Sequence, residues 1–197
     1  MLEVIGISGS RNDNVLFKNL NFTLSDGQAL QINAANGVGK TTLLKIIAGL
    51  LPIAAGKITT DYSALYLGHN SNLHPALSVQ ANLKFLHLLN SRSSSVNSQH
   101  MQLAIQNAGI NKQLYTAGEE LSAGQAQRVN LARLYLAQEK LWLLDEPFVN
   151  LDNNAKLILT NLLIKHLLSG GALIIASHNQ IELAGVVIGS LYLEQYA

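Results

Sequence analysis

The chain has no cysteine, which excludes disulfides and thiol-ligated metal centres and suits a reducing compartment. Charge is also scarce: 13% of its 197 residues are Asp, Glu, Lys or Arg, against 48% hydrophobic. A surface so poor in charge fits a protein with a permanent partner better than a freely diffusing enzyme. The formal net charge is +1 and no basic run stands out, so no nucleic-acid surface is expected. No stretch reaches the roughly 18 consecutive apolar residues that a membrane-spanning helix needs. Met1-Leu2-Glu3-Val4-Ile5-Gly6 lacks the basic-then-apolar order of a signal peptide. There are no internal repeats, and the length allows one large domain or two small ones with a substantial core.

What is present is organised around Ala34-Ala35-Asn36-Gly37-Val38-Gly39-Lys40-Thr41-Thr42. An apolar run, Ala29 to Ile32, reads as a buried strand before it, and Leu43 to Ala48 reads as a helix after it. A strand, a tight glycine-containing loop and a helix opening on Gly-Lys-Thr form the context of a phosphate-binding P-loop. Gly37 and Gly39 allow the main chain to approach an anion, and converging N–H groups with the helix N-terminus bind it. Lys40 then reaches the outer phosphates and the Thr41 hydroxyl ligates Mg²⁺. The first position of the pattern G-x-x-x-x-G-K-[ST] is occupied by Ala34, an expected shift at the start of the loop that leaves Gly39, Lys40 and Thr41 untouched.

Further strands are expected at Leu2 to Ile7, Leu20 to Leu24, Lys57 to Asp61 and Ala64 to Leu67, with polar Ser10 to Asn14 between the first two. From Gly68 the character changes. Helical patterns over Ser78 to Leu89 and Gln99 to Asn107, joined by the Ser-rich stretch Asn90 to Asn97, read as a mostly helical insertion over about 70–137. The α/β core resumes at Leu141, with a helix over Asn153 to Leu168, a strand over Ala172 to Ala176 and a last strand or hairpin arm within Val186 to Leu193.

Leu141-Trp142-Leu143-Leu144-Asp145-Glu146-Pro147 is an apolar run ending in two carboxylates, as a parallel strand buried on both faces would be. Ligands collect at the carboxyl ends of such strands. Asp145 is the candidate Mg²⁺ ligand, through water, and Glu146 the candidate base for an attacking water. Taken alone, the two acids would be a surface feature of an αβ loop. Ile174 to His178 is a second buried strand, whose histidine could hydrogen-bond a γ-phosphate; alone it would be a loop histidine. His74, His87, His100 and His166 show no paired ligand spacing. Leu121-Ser122-Ala123-Gly124-Gln125 precedes a helical stretch through Leu134, with Ser122 as N-cap and Gln125 completing a capping box. Structurally the capping box can be the whole of its role; functionally, a helix N-terminus carrying Ser and Gly is a second ready-made anion site.

In this order the motifs resemble the ATP-binding subunits of ABC (ATP-binding cassette) transporters. Asn36 to Thr42 matches the P-loop, Leu121 to Gln125 the LSGGQ-type signature, Leu141 to Glu146 the Walker B strand, and His178 the switch histidine. Gln125 lies 20 residues before Asp145 and His178 lies 33 after it, both typical of the family. Asp152, in Asn150-Leu151-Asp152, matches the D-loop. The resemblance implies an α/β fold: a P-loop NTPase core of ABC type with a mixed sheet and helices, an inserted helical subdomain and an N-terminal antiparallel β element. Residues 1–69 and 138–197 would form the RecA-like/β core of one ABC ATPase domain. It further implies hydrolysis of ATP with Mg²⁺ in a head-to-tail homodimer. Each nucleotide would lie between one copy's P-loop and the other's Ser122 and Gly124, with the pair docked on an integral-membrane permease at the cytoplasmic face of the bacterial inner membrane. Arg11 falls where the family has an aromatic residue stacking on adenine, and a guanidinium plane can stack on a base too. Where the family has a Gln contacting Mg²⁺ and the attacking water, this chain has His69 with Asn70 beside it, and either can serve.

Short length, the Ser-Ala-Gly-Gln signature, Leu67-Gly68-His69 and Glu146-Pro147-Phe148 look most like the haem-exporter ATPase of bacterial cytochrome c maturation. That resemblance implies coupling of hydrolysis to release of a haem-loaded periplasmic chaperone. The alternatives are an ATPase of another ABC transporter, for lipid, lipoprotein or small solutes, a soluble cassette acting on ribosomes or DNA, and a degenerate cassette that binds ATP structurally. Lys40, Glu146 and His178 argue against the last; Ala34 and Arg11 argue for it. The docking surface is expected beside His69 to Pro75 and the helix around Leu83, Phe85 and Leu86.

Overall fold

The computed structural model of the chain describes residues 1–11, 14–68, 73–90 and 97–196. In chain order its elements begin with strands β1 (Leu2–Arg11), β2 (Asn14–Leu24) and β3 (Ala29–Asn33), helix α1 (Lys40–Ile47), and strands β4 (Ala55–Thr60) and β5 (Ala64–Leu67). Helices α2 (Val79–Asn90), α3 (Ser98–Asn107) and α4 (Ala123–Leu136) follow. The chain closes with β6 (Leu141–Asp145), α5 (Asn153–Leu168), β7 (Ala172–Ala176) and β8 (Ile188–Tyr192). Contacts divide it into two compact units: Met1–His69 with Glu139–Pro147 and Leu163–Ala197, and Asn70–Gln138 with Phe148–Leu162.

The first unit holds both sheets. Five parallel strands run in the order β5-β6-β7-β3-β8, and three antiparallel strands in the order β2-β1-β4. β6 and β7 are buried at every position, which is why they read as unbroken apolar runs rather than alternating ones. Leu2, Ile7 and Phe17 of the antiparallel sheet join Leu43 and Leu44 of α1 and Leu143 of β6 in one core. The P-loop helix is therefore anchored by its apolar face while its N-terminus stays at the carboxyl ends of the parallel strands.

The first hairpin is longer than its hydrophobic alternation predicts, running through Arg11 and resuming at Asn14. Register shifts between Val4 and Ile7, Ile7 and Gly9, and Gly9 and Ser10 interrupt the period of two, so a periodicity reading stops early. Gly9 is required by packing: a Cβ there would lie 2.3 Å from the Phe17 ring. β4 likewise starts at Ala55 rather than Lys57, because Gly56, at φ +89, lets the backbone pass against Gly6, where a Cβ would come within 2.4 Å.

His166 has a structural place. Its ring stacks on Trp142 of β6, centroids 3.7 Å apart and planes 8° off parallel, and its Nε2 lies 3.3 Å from the Ala172 carbonyl. Burial holds its pKa below the ordinary 6.5, outweighing the backbone hydrogen bonds that raise it. The unfolded chain then binds a proton that the folded one refuses, so this contribution to stability is intact above pH 6.5 and is lost as pH falls below it. We expect the melting temperature to drop between pH 7 and 5.5, and His166→Phe, which keeps a ring on Trp142 but cannot titrate, to flatten that drop in a thermal-shift series.

In the second unit α4 packs against both α2 and α3. Asn82, buried on α2, holds the preceding turn by accepting from His74 N–H at 2.7 Å and donating to the carbonyls of His74, Leu77 and Ser78. Leu83 belongs to this unit's core and so leaves the expected docking face, whereas Phe85, Leu88 and Leu89 are exposed.

Candidate active site

β3 delivers the chain to Ala34, and α1 starts at Lys40. Gly37 (φ +86) and Gly39 (φ +120) turn the intervening loop; at Gly37 a Cβ would meet nothing within 4 Å, so the backbone angle alone demands glycine. Gly39 caps α1 without any side-chain hydrogen bond, and the first turn holds no acidic residue. The helix thus presents unsatisfied N–H groups and its positive dipole end to whatever anion arrives. Lys40, only 7% exposed, curls over the loop and donates to the carbonyls of Ala34 at 2.6 Å and Ala35 at 3.2 Å. Ala34 is not among the described non-glycine residues with positive φ, so nothing at that position requires the glycine of the pattern. Thr42 is buried, Val38 packs partly buried against the core, and Asn36 is exposed.

The end of β6 meets this loop directly. Thr41 Oγ1 donates to Asp145 Oδ2 at 2.5 Å, and Asp145 is 3% exposed. Burial first, and the Asp145 charge second, push the Tyr66 phenol on neighbouring β5 up to about 12, so it stays a neutral phenol. Glu146 adopts a left-handed backbone angle, φ +51, unusual for a residue with a Cβ. Its N–H is held by the Ala176 carbonyl at 2.9 Å, and its carboxylate lies across the end of β7. There Oε2 accepts from Ser177 Oγ at 3.2 Å, Oε1 accepts from the His178 N–H at 3.1 Å, and His178 Nδ1 lies 3.1 Å from the same Oε1. His178 Nε2 is left facing the Asn179 amide nitrogen at 3.0 Å. The carboxylate is 13% exposed and the imidazole 54%, so the acid is sheltered while the histidine reaches outward.

Lys40, Thr41, Asp145, Glu146 and His178 are brought together at one end of the parallel sheet. Sequence reasoning missed two neighbours. Glu194, in the 3₁₀ turn Leu193–Tyr196, accepts from the Ala35 N–H at 2.6 Å. That hydrogen bond is the main cause holding its carboxyl below the usual range, with Lys40 a minor one. Gln31, inside β3, is buried and fully hydrogen-bonded. Nothing short-range signals the first; a Gln amid apolar Ala29, Leu30 and Ile32 is the available signal for the second.

In the second unit the expected capping box is present: Ser122 Oγ accepts from Gln125 N at 3.2 Å, and Gln125 Oε1 accepts from Ser122 N at 2.9 Å. A Cβ on Gly124 would lie 3.1 Å from the Asn150 carbonyl. Asp152 starts α5 by accepting from Ala155 N at 2.8 Å, and it pairs with Arg128 at 2.7 Å. Those two bonds, the first the larger, hold its carboxyl below the ordinary range. Arg128 also donates to the Ala108 carbonyl. Arg11 is the exposed last residue of β1, opposite Asn14. His69 and Asn70 lie outside the described residues.

Residues 17–149 match the model of the family described as ABC transporter. The cytochrome c biogenesis ATP-binding export protein CcmA of Pasteurella multocida is 36% identical over 87% of this chain and 85% of its own length. That of Aliivibrio fischeri is 36% identical over 92% and 93%. Among solved structures, an ABC transporter ATP-binding protein from Pyrococcus furiosus superposes with a TM-score of 0.83 at 25% identity, covering 100% of this chain and 98% of the other. A dimeric ATP-binding cassette bound to ADP and Pi shares the fold, with a TM-score of 0.81 at 20% identity over 91% and 88%. The phosphate loop, the acidic strand end facing it and these likenesses agree: the chain is an ATPase belonging to the ABC transporter family, in its group of cytochrome c biogenesis ATP-binding export proteins.

Proposed function

We propose that two copies of this chain grip Mg–ATP between them, dock on an integral-membrane subunit at the cytoplasmic face of the inner membrane, and power haem export or release of a haem-loaded chaperone in cytochrome c maturation. The observation that carries this reading is the meeting of Thr41 with Asp145 and of Glu146 with His178 beside the open N-terminus of α1. The names of the similar proteins, cytochrome c biogenesis ATP-binding export proteins, support the link to cytochrome c maturation.

In this reading the loop N–H groups and α1 receive the phosphates, and Lys40 leaves the Ala34 and Ala35 carbonyls for the outer phosphate. Thr41 Oγ1 and Asp145 Oδ2 are adjacent hard oxygen donors, one ionised, which fits Mg²⁺; when bound, the ion neutralises phosphate charge. Glu146 takes the proton of the attacking water, and His178, held beside Glu146, donates a ring N–H to the γ-phosphate. Arg11 stacks on the base, His69 or Asn70 lines the water and metal, and Asp152 lies at the dimer seam. The second copy's Ser122 and Gly124 close over the nucleotide, with Gln125 bracing Ser122. Nucleotide is then part of the interface, so binding assembles the pair and hydrolysis loosens it.

Exposed Phe85, Leu88 and Leu89 of α2 supply an apolar face for the membrane subunit. Phe85→Asp with Leu89→Asp is expected to abolish co-purification from detergent-solubilised membranes while leaving ATP binding by the isolated chain unchanged. A wild-type chain always recovered alone and soluble would overturn the docking.

A further inference from the structure

Gln31 is 2% exposed, in the middle of β3 and beside β7. Its Nε2 donates to Asn33 Oδ1 and to the Asn179 carbonyl, both at 2.8 Å, and its Oε1 accepts from the Ile181 N–H at 3.0 Å. The two backbone groups settle which end of the amide is which, since a carbonyl only accepts and an N–H only donates. A buried amide costs free energy unless it is bonded, and this one is bonded throughout.

The bonds go to the segment that follows His178. Residues 177–187 form no helix or strand, and the Ser177 N–H, donating to the Ile32 carbonyl at 3.3 Å, ties only the start of the segment to β3. Between the end of β7 and Ile181, the backbone is pinned by Gln31 at Asn179 and Ile181, immediately past the imidazole. Asn179 carries the restraint onward, with its side-chain nitrogen 3.0 Å from His178 Nε2 and its N–H 3.2 Å from Ser177 Oγ, which itself bonds Glu146. The His178 side chain is 54% exposed, so its own packing does little to fix it.

We propose that Gln31 is a positioning residue for ATP hydrolysis: by clamping Asn179 and Ile181 it holds the His178 imidazole in place beside Glu146. The proposal rests on the reading of Glu146 and His178 given above. Gln31 touches neither nucleotide nor water in this scheme and acts only through His178.

The test is a cycle of Gln31→Met, which keeps shape but makes no hydrogen bond, with His178→Ala, in the full chain at saturating Mg–ATP. Gln31→Met should lower kcat about 10-fold, in keeping with the cost of misplacing a reacting group, while KM for ATP stays within about twofold because the phosphate loop is untouched. In the His178→Ala background it should remove nothing further. The ¹⁵N signal of His178 Nδ1 should shift in Gln31→Met with or without turnover. Should Gln31→Met not fold, Gln31→Glu keeps an acceptor for the Ile181 N–H and loses the donor to the Asn179 carbonyl and to Asn33 Oδ1. Losses that add in the double variant, or an unshifted His178 signal with unchanged kcat, overturn the proposal alone. A His178→Ala chain hydrolysing at the wild-type rate overturns the reading of His178 and the proposal with it.

Discussion

Replacing Glu146 by Gln is expected to lower kcat by about 10²- to 10⁴-fold, the range of a lost general base, while ATP binding survives. Gln is nearly isosteric: its Oε1 still accepts from the His178 N–H, and its amide N–H can donate to Ser177 Oγ where the carboxylate accepted, so the left-handed turn at Glu146 and the end of β7 hold. What disappears is the carboxylate that takes the water's proton. Lys40, Thr41 and Asp145, the phosphate and Mg²⁺ ligands in this scheme, are untouched. The variant should therefore accumulate as a nucleotide-bound pair, read by light scattering with Mg–ATP, with phosphate release giving the rate. Hydrolysis at the wild-type rate would show that Glu146 is not the base, and a chain that stays single with nucleotide would remove the shared-site mechanism.

Lys40→Ala should fail at the earlier step. Losing a charge-assisted hydrogen bond costs about 1.5–3 kcal/mol, which raises Kd for ATP by about 10- to 100-fold, measured by calorimetric titration. The fold should not suffer in proportion: Lys40 Nζ spans two loop carbonyls, and Ala35 is exposed, so water can replace it there. An unchanged urea midpoint beside the weakened binding would separate the two effects. Lys40→Arg should rescue poorly, since a planar fork on a longer stem does not reproduce a compact ammonium. Together the two variants divide the reaction, one binding without turnover and the other losing the binding.

How much of this was legible follows from how local each feature is. β7 and α5 have the limits that their apolar patterns and the Gly170-Gly171 break predict, because both are set within a few residues. The hairpin outruns its sequence pattern because register shifts near Gly9 break the alternation, and the need for glycine there comes from the Phe17 ring on the other strand. His166 carried no signal of its own; only its stack on Trp142 shows that it belongs to the core. Leu83 and Phe85 lie two positions apart on one apolar helix, yet one is buried and the other bare. Composition cannot separate them, and the orientation of α2 in its unit can.

The phosphate loop, the buried strands ending in Asp145-Glu146 and in His178, and the capped helix after Leu121 are legible in the chain, because contiguous residues build each of them. Which of them meet is set by the folding of distant segments onto one another. Thr41 finds Asp145 across 104 positions, Ala35 finds Glu194 across 159, and Gln31 finds Asn179 across 148. Such pairings follow from the strand order β5-β6-β7-β3-β8, which seats β7 between β6 and β3. That order is chosen by burial of both sheet faces over the whole unit, a free energy that no short stretch of chain contains.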